Sequence, residues 1–186
     1  EPEPHDPRRK RMLKRLALAV VFASLMPALA TAHGPTRQKV VSKIEINAPV
    51  EKVWALIGDF QNMNWHPAVD KTEGTGGNEA KAVRRVTLKK GGTTEDSLIK
   101  YSGEERTYAY EVTSVDVKVL PVTNFSSTIS VQGTAEKTIV EWRSAFYRGY
   151  VNNDPPPELT DEAAVKAITE LITVGLAGIK VKLEAG

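Results

Sequence analysis

At 186 residues, with 41% hydrophobic and 26% charged side chains and no cysteine, the chain is long enough for a self-sufficient core and must hold it without disulfides or thiolate-bound metal. The formal charge of +2 misleads, because the first 32 residues hold six of the 25 basic and three of the 23 acidic side chains, leaving 19 basic against 20 acidic. That balance argues against nucleic acid and anionic membrane as partners, since both require a concentrated positive field.

The first element in chain order is a secretory signal over residues 12–32. Lys14 and Arg15 follow Met12, a 14-residue apolar run spans Leu16 to Leu29, and Ala30-Thr31-Ala32 fits an A-x-A cleavage pattern. The run is shorter than the roughly 20 residues of a spanning helix, and Pro27 interrupts it. Export with cleavage after about Ala32, hence a periplasmic mature protein of residues 33–186 with no membrane contact, is the expectation. Residues 1–11, with Arg8-Arg9-Lys10-Arg11, are an N-terminal extension set aside from the fold.

Within the mature region Val40, Ser42, Ile44 and Ile46 share one face of Gln38–Ile46, opposite Lys43 and Glu45, which marks a half-buried strand. Asn47-Ala48-Pro49 ends it and opens a helix whose apolar face is Val50, Val53, Trp54 and Ile57, with Glu51 in the first turn and Gly58 at the end. A second short helix or turn is expected over Phe60–His66, stopped by Pro67. Six strands follow at Val69–Glu73, Ala82–Leu88, Asp96–Tyr101, Thr107–Ser114, Thr123–Val131 and Thr138–Tyr147, separated by Gly-, Asn- and Ser-rich turns. Their short connections predict an antiparallel meander. Asp154-Pro155-Pro156-Pro157 is a stiff extended link. Thr160 then caps a long helix with Asp161 and Glu162 in its first turn and Val165, Ile168, Ile172, Leu176, Ile179 and Leu183 on its apolar face. Gly175 and Gly178 near that face signal either close approach of another segment or slack beside a ligand space. The predicted fold is α+β: a seven-stranded antiparallel sheet wrapped around a long C-terminal helix, with two short helices after the first strand. The basic doublets Arg84-Arg85 and Lys89-Lys90 are expected on the solvated surface, alternation splitting each between faces.

This element order, with the runs Ile46 to Phe60, Asn64 to Ala68, Glu95 to Ile99, Tyr108 to Glu111, Leu120 to Val122 and Val140 to Trp142, resembles the START/birch-allergen-like superfamily, also called SRPBCC or polyketide cyclase/dehydrase proteins. The resemblance spans Val40 to Leu183 and implies the helix-grip fold with an apolar cavity between sheet and helix. Trp54, Phe60, Trp65, His66, Tyr101, Tyr110, Phe125 and Trp142 are the candidate cavity residues; each aromatic has core packing as its plainer reading. Within the superfamily, the exported form with His33 to Lys39 at the mature start and Trp65-His66-Pro67-Ala68 resembles the periplasmic MxaD-type proteins. That likeness implies an accessory role in methanol oxidation, with methanol dehydrogenase and cytochrome c as partners.

No catalytic constellation is evident. His66 is suggestive but has no visible orienting partner, and a histidine bonded to nearby backbone is its plainer reading. His33, as a new N-terminus, could chelate copper only with a second histidine, which only His66 could supply, and imidazole alone is unspecific. There is no strand-to-helix glycine loop for phosphate, no G-x-S-x-G elbow and no calcium-type loop. Glu95-Asp96 and Glu104-Glu105 are neighbours on strands, so their side chains point opposite ways. No metal and no cofactor is expected. Two readings stand: a non-enzymatic accessory protein that acts by contact, or a binding protein or cyclase/dehydratase-like enzyme for a small hydrophobic molecule.

Overall fold

The computed structural model describes residues 34–185; the expected signal, the extension before it and His33 lie outside the described residues. The elements are β1 (Gln38–Ile46), α1 (Val50–Ile57), β2 (Val69–Thr75), β3 (Val83–Leu88), β4 (Thr93–Ser102), β5 (Thr107–Val115), β6 (Val122–Gly133), β7 (Thr138–Arg148) and α2 (Asp161–Glu184), with one 3₁₀ turn at Pro157–Leu159 before α2. The strands form one antiparallel sheet in the order β1-β7-β6-β5-β4-β3-β2. Strands β2 to β7 are the expected meander, and β1 returns from the start of the chain to pair with β7, Gln38 facing Phe146 and Ile46 facing Thr138. This is the helix-grip arrangement.

Alternation drives the layering. Along β7, Val140, Trp142, Ser144 and Phe146 turn inward while Ile139, Glu141 and Arg143 turn out, and β6 does the same with Phe125, Ser127, Ile129 and Val131. The inner face meets α2 through Ala164, Ile168, Ile172, Leu176 and Ile179, with Val165 and Leu183 half-buried at its flanks. Ile168, Ile172 and Ile179 are wholly buried, each contributing roughly 1.5–3 kcal/mol. The Thr160 hydroxyl accepts from Ala163 N–H at 3.1 Å and caps the helix as its sequence implies. At the other end Asn47 N–H donates to Glu184 Oε1 at 2.7 Å and Lys180 Nζ donates to Glu45 O at 2.9 Å, tying the end of α2 to β1.

Two expectations need correction. Phe60–His66 is a chain of turns, so α1 is the single short helix after β1. Short polar side chains take its backbone donors: Gln61 N–H bonds Asp59 Oδ1 at 2.9 Å, Asn64 N–H bonds Asn62 Oδ1 at 3.0 Å, and Met63 N–H bonds Thr72 Oγ1 at 3.2 Å. Such bonds compete with helix. Arg84 is not on the solvated surface; it is wholly buried, whereas Arg85 is exposed and pairs with Glu95. The inward face of β3 can carry Arg84 because the Asp96 carboxylate stands opposite it on β4.

The glycines of α2 receive the turn that ends the 60s segment. A Cβ on Gly178 would lie 2.4 Å from Pro67 Cδ, and one on Gly175 would lie 2.5 Å from His66 Cδ2. Of the two sequence readings, close approach is the one observed. Replacing Gly178 with alanine is expected to destabilise the protein by about 1–2 kcal/mol in urea unfolding, because overpacking outweighs the gain in helix propensity. An unchanged or higher unfolding midpoint would contradict this fit.

Candidate functional site

Two spaces lie where α2 parts from the sheet. The inner one is a cavity of about 40 Å³ lined by Met63, Val86, Val112, Phe125 and other apolar side chains, with Thr94, Asp96 and Tyr110 as its polar wall. That volume holds a few water molecules. The outer one is a groove of about 660 Å³ between α2, the β3–β4 turn and the β5–β6 connection, inside the range of roughly 300–1,000 Å³ typical of small-molecule sites. Leu88, Leu120 and Leu171 line both spaces and stand between them.

Leu171 is positioned by His66. Ala68 N–H can only donate, and it points to His66 Nδ1 at 3.1 Å, so that nitrogen is the acceptor. Nε2 therefore carries the proton and donates to Leu171 O at 2.9 Å. The ring is 1% exposed and packs edge-on against Trp142, with Trp65 alongside. Burial, the largest influence, pushes the imidazole below its ordinary value of 6.5, while the bond to Leu171 pulls it back up. With both nitrogens committed to backbone, His66 is a brace between the turn at Trp65–Pro67 and the middle of α2. Among the described residues no cluster of three His, Asp or Glu side chains gathers as metal ligands.

The polar wall of the cavity is built by β3 and β4. Register places Arg84 directly opposite Asp96. Arg84 Nε donates to Asp96 Oδ2 at 2.8 Å and Nη1 donates to Phe60 O at 3.0 Å. The guanidinium lies between the rings of Phe60 and Tyr110, 4.4 and 4.6 Å from their centroids. Thr94 Oγ1 donates to Asp96 Oδ1 at 3.3 Å. Burial, the largest single influence, opposes the charged guanidinium, but the Asp96 carboxylate together with Tyr110 and Tyr108 holds Arg84 above its usual range. Burial likewise pushes the Asp96 carboxyl up, against the pull of Arg84. Arg84 therefore stays charged, and Asp96 is the member that takes up a proton in acid. Arg84 Nη2 and the Tyr108 hydroxyl are buried without a hydrogen-bond partner among the described residues.

The eight candidate residues from the sequence fall into separate groups. Tyr110 and Phe125 line the cavity. Phe60 covers Arg84. Trp65, His66 and Trp142 fill the layer under α2, where Trp142 Nε1 donates to Ser127 Oγ at 3.3 Å. Trp54 and Tyr101 pack against each other with tilted rings, centroids 5.8 Å apart, and are half-buried. Six of the eight are thus buried in the interior and Trp54 and Tyr101 lie at its edge, and the roomier space is the groove outside it. Sequence reasoning passed over Arg84, Asp96 and the three leucines; in-and-out alternation along the two neighbouring strands was the signal for the first two.

A family model described as polyketide cyclase / dehydrase and lipid transport matches residues 37–184. No curated protein matches the sequence. Among solved structures, protein XoxI from Bacillus cereus is 29% identical, with a TM-score of 0.66, over 78% of this chain and 95% of its own. An uncharacterized protein from Bacillus thuringiensis is 28% identical, with a TM-score of 0.67, over 79% and 99%. The Zhui aromatase/cyclase from Streptomyces sp. R1128 is similar at 17% identity and a TM-score of 0.64, over 80% and 94%, a likeness of fold alone.

Replacing either Arg84 with methionine or Asp96 with leucine is expected to cost about 3–5 kcal/mol, because each leaves a buried charge alone. The double variant should lose far less in urea unfolding; additive losses would show that the pair is not coupled. The depressed His66 pKa means that below about pH 6.5 the unfolded chain binds more protons. Its contribution to stability is complete above that pH and shrinks as pH falls through it, so His66→Phe should flatten the fall in midpoint between about pH 7 and pH 5. Imidazole ¹⁵N spectra showing a proton on Nδ1 at neutral pH would refute the assignment.

Proposed function

Because the chain belongs to the polyketide cyclase / dehydrase and lipid transport family, we propose that it binds a small, largely apolar molecule in the groove and admits part of it past Leu171 to the inner cavity. The observation that carries this reading is the shared leucine partition. Leu88, Leu120 and Leu171 are the wall of both spaces, so rotation of these flexible side chains joins a groove of ligand size to an apolar interior. Val119, Ala167 and Val174 extend the apolar bed outward.

Binding is favoured over turnover by how the interior polar groups are engaged. Asp96 is held by Arg84 and Thr94, and both nitrogens of His66 are bonded to backbone. A general acid or base has to present a nitrogen or oxygen to its substrate, and both oxygens of Asp96 and both nitrogens of His66 already hold hydrogen bonds within the protein.

A more specific reading places the protein in the periplasm after loss of its leader, as an accessory of methanol oxidation that contacts methanol dehydrogenase or its cytochrome c acceptor. Its support is the resemblance to MxaD-type proteins carried by Trp65-His66-Pro67-Ala68 together with the leader over residues 12–32. That segment packs on Gly175 and Gly178, and Pro67 and Ala68 form part of the groove wall. On this reading, groove occupancy and partner contact use one surface.

Native mass spectrometry of the protein isolated from its own host tests both readings. A co-purifying small molecule that is lost in Leu171→Trp is the expected result. An empty domain that instead brings down a dehydrogenase would replace the binding reading with the accessory one.

A further inference from the structure

We infer that the groove selects an amphiphile with a single anionic head, seated head outward and tail inward. This rests on the binding reading above and adds the charge and orientation of the ligand. The carrying observation is the rim. Lys89 and Lys90 on the β3–β4 turn and Lys118 on the β5–β6 connection line the groove, against one acid, Glu170 of α2. None of the three lysines is in an ion pair among the described residues. In a mature region whose charges nearly cancel, three cations to one anion is a local excess.

The rim is built, not incidental. Lys89 N–H donates to Ala68 O at 3.0 Å, fixing the turn to the segment that carries His66. Gly92, at φ +87°, leaves room that a Cβ would take, 2.4 Å from Val119 Cγ2, so the β5–β6 connection seats on the β3–β4 turn and brings Lys118 beside the doublet. Asp116 holds that connection, its Oδ1 accepting from Lys118 N–H at 2.9 Å. Three flexible ammonium groups suit a compact anion approached from several sides.

The inner end has the opposite preference. Past the leucines the walls are Met63, Val112 and Phe125, no lysine or arginine lines the space, and its one carboxylate, Asp96, is already paired with Arg84. An anionic head is attracted at the mouth and would lose its water at a floor lined by no cation, while an alkyl or aryl tail gains by leaving water. The two ends together fix the orientation.

Calorimetric titration of the purified protein with dodecanoate and with dodecanol, at low and high salt, tests this. Dodecanoate should bind about tenfold more tightly at low salt, with the advantage shrinking as salt screens the rim. K89E/K90E/K118E should erase the advantage by weakening dodecanoate at least tenfold more than dodecanol, and the neutral K89Q/K90Q/K118Q should fall between. Leu171→Trp should weaken both ligands, locating them in the groove. Equal affinity for acid and alcohol, or an advantage that survives the reversal, overturns the inference and leaves the binding reading standing. Failure to bind either amphiphile removes the binding reading and the inference with it. Sedimentation with phosphatidylglycerol vesicles without uptake of free dodecanoate would assign the lysines to a membrane surface and likewise overturn it.

Discussion

The bond from His66 Nε2–H to the carbonyl of Leu171 joins the two halves of the molecule that face each other across the site. It can form only because α2 carries glycine at positions 175 and 178, where any side chain would meet the imidazole or the Pro67 ring. The turn at Trp65–Pro67 sinks into the helix surface, Trp65 and Trp142 close around the imidazole, and Leu171 is held at the partition between cavity and groove. Helix propensity is sacrificed at two positions of α2 to make this contact. The brace costs local helix stability and fixes the backbone at Leu171, while the leucine side chain at the partition keeps its rotations.

The Arg84–Asp96 pair plays a different part. Buried ion pairs are seldom a net gain over apolar packing, but losing one partner is expensive. Here the guanidinium is also enclosed by Phe60 and Tyr110 and bonded to the Phe60 carbonyl. One side chain thus connects β3, β4, β5 and the turn after α1. That network specifies how the 60s segment enters the sheet, and it sets a polar boundary to an interior that is otherwise apolar. The His66 brace and this pair grip the same segment from its two ends, at Phe60 and at His66.

Much of the architecture was legible because alternation and helical spacing report burial directly. Val40 to Ile46, the six later strands and the face of α2 from Ile168 to Ile179 followed from those periods, and Thr160 from its capping chemistry. The segment Phe60–His66 was legible only in part, since bonds from Asp59, Asn62 and Thr72 depend on side chains reaching backbone across turns and strands. Arg84 escaped for a related reason: its burial depends on Asp96 across the strand pair, and charge composition taken residue by residue places arginine outside. The aromatic residues singled out from the sequence were those most able to fill space, and filling space is what Trp65, Phe60 and Trp142 do. Groove residues such as Leu171 and Lys118 carry no distinguishing pattern in a linear sequence, because three separated segments have to meet before they share a surface.

The pairing of β1 with β7 has a kinetic side. Gln38 and Phe146 are partners although 108 positions separate them, and α2, which covers the same seam, comes later still. A nucleus built from β1 must wait for nearly the whole chain, whereas β2 through β7 can zip through successive hairpins. Strand β1 is made well before the strand that satisfies it, so its row of Val40, Ile44 and Ile46 is an unpaired apolar edge until β7 follows. The charges of Lys39, Lys43 and Glu45, set between those apolar positions, discourage wrong neighbours until Phe146 and its strand arrive.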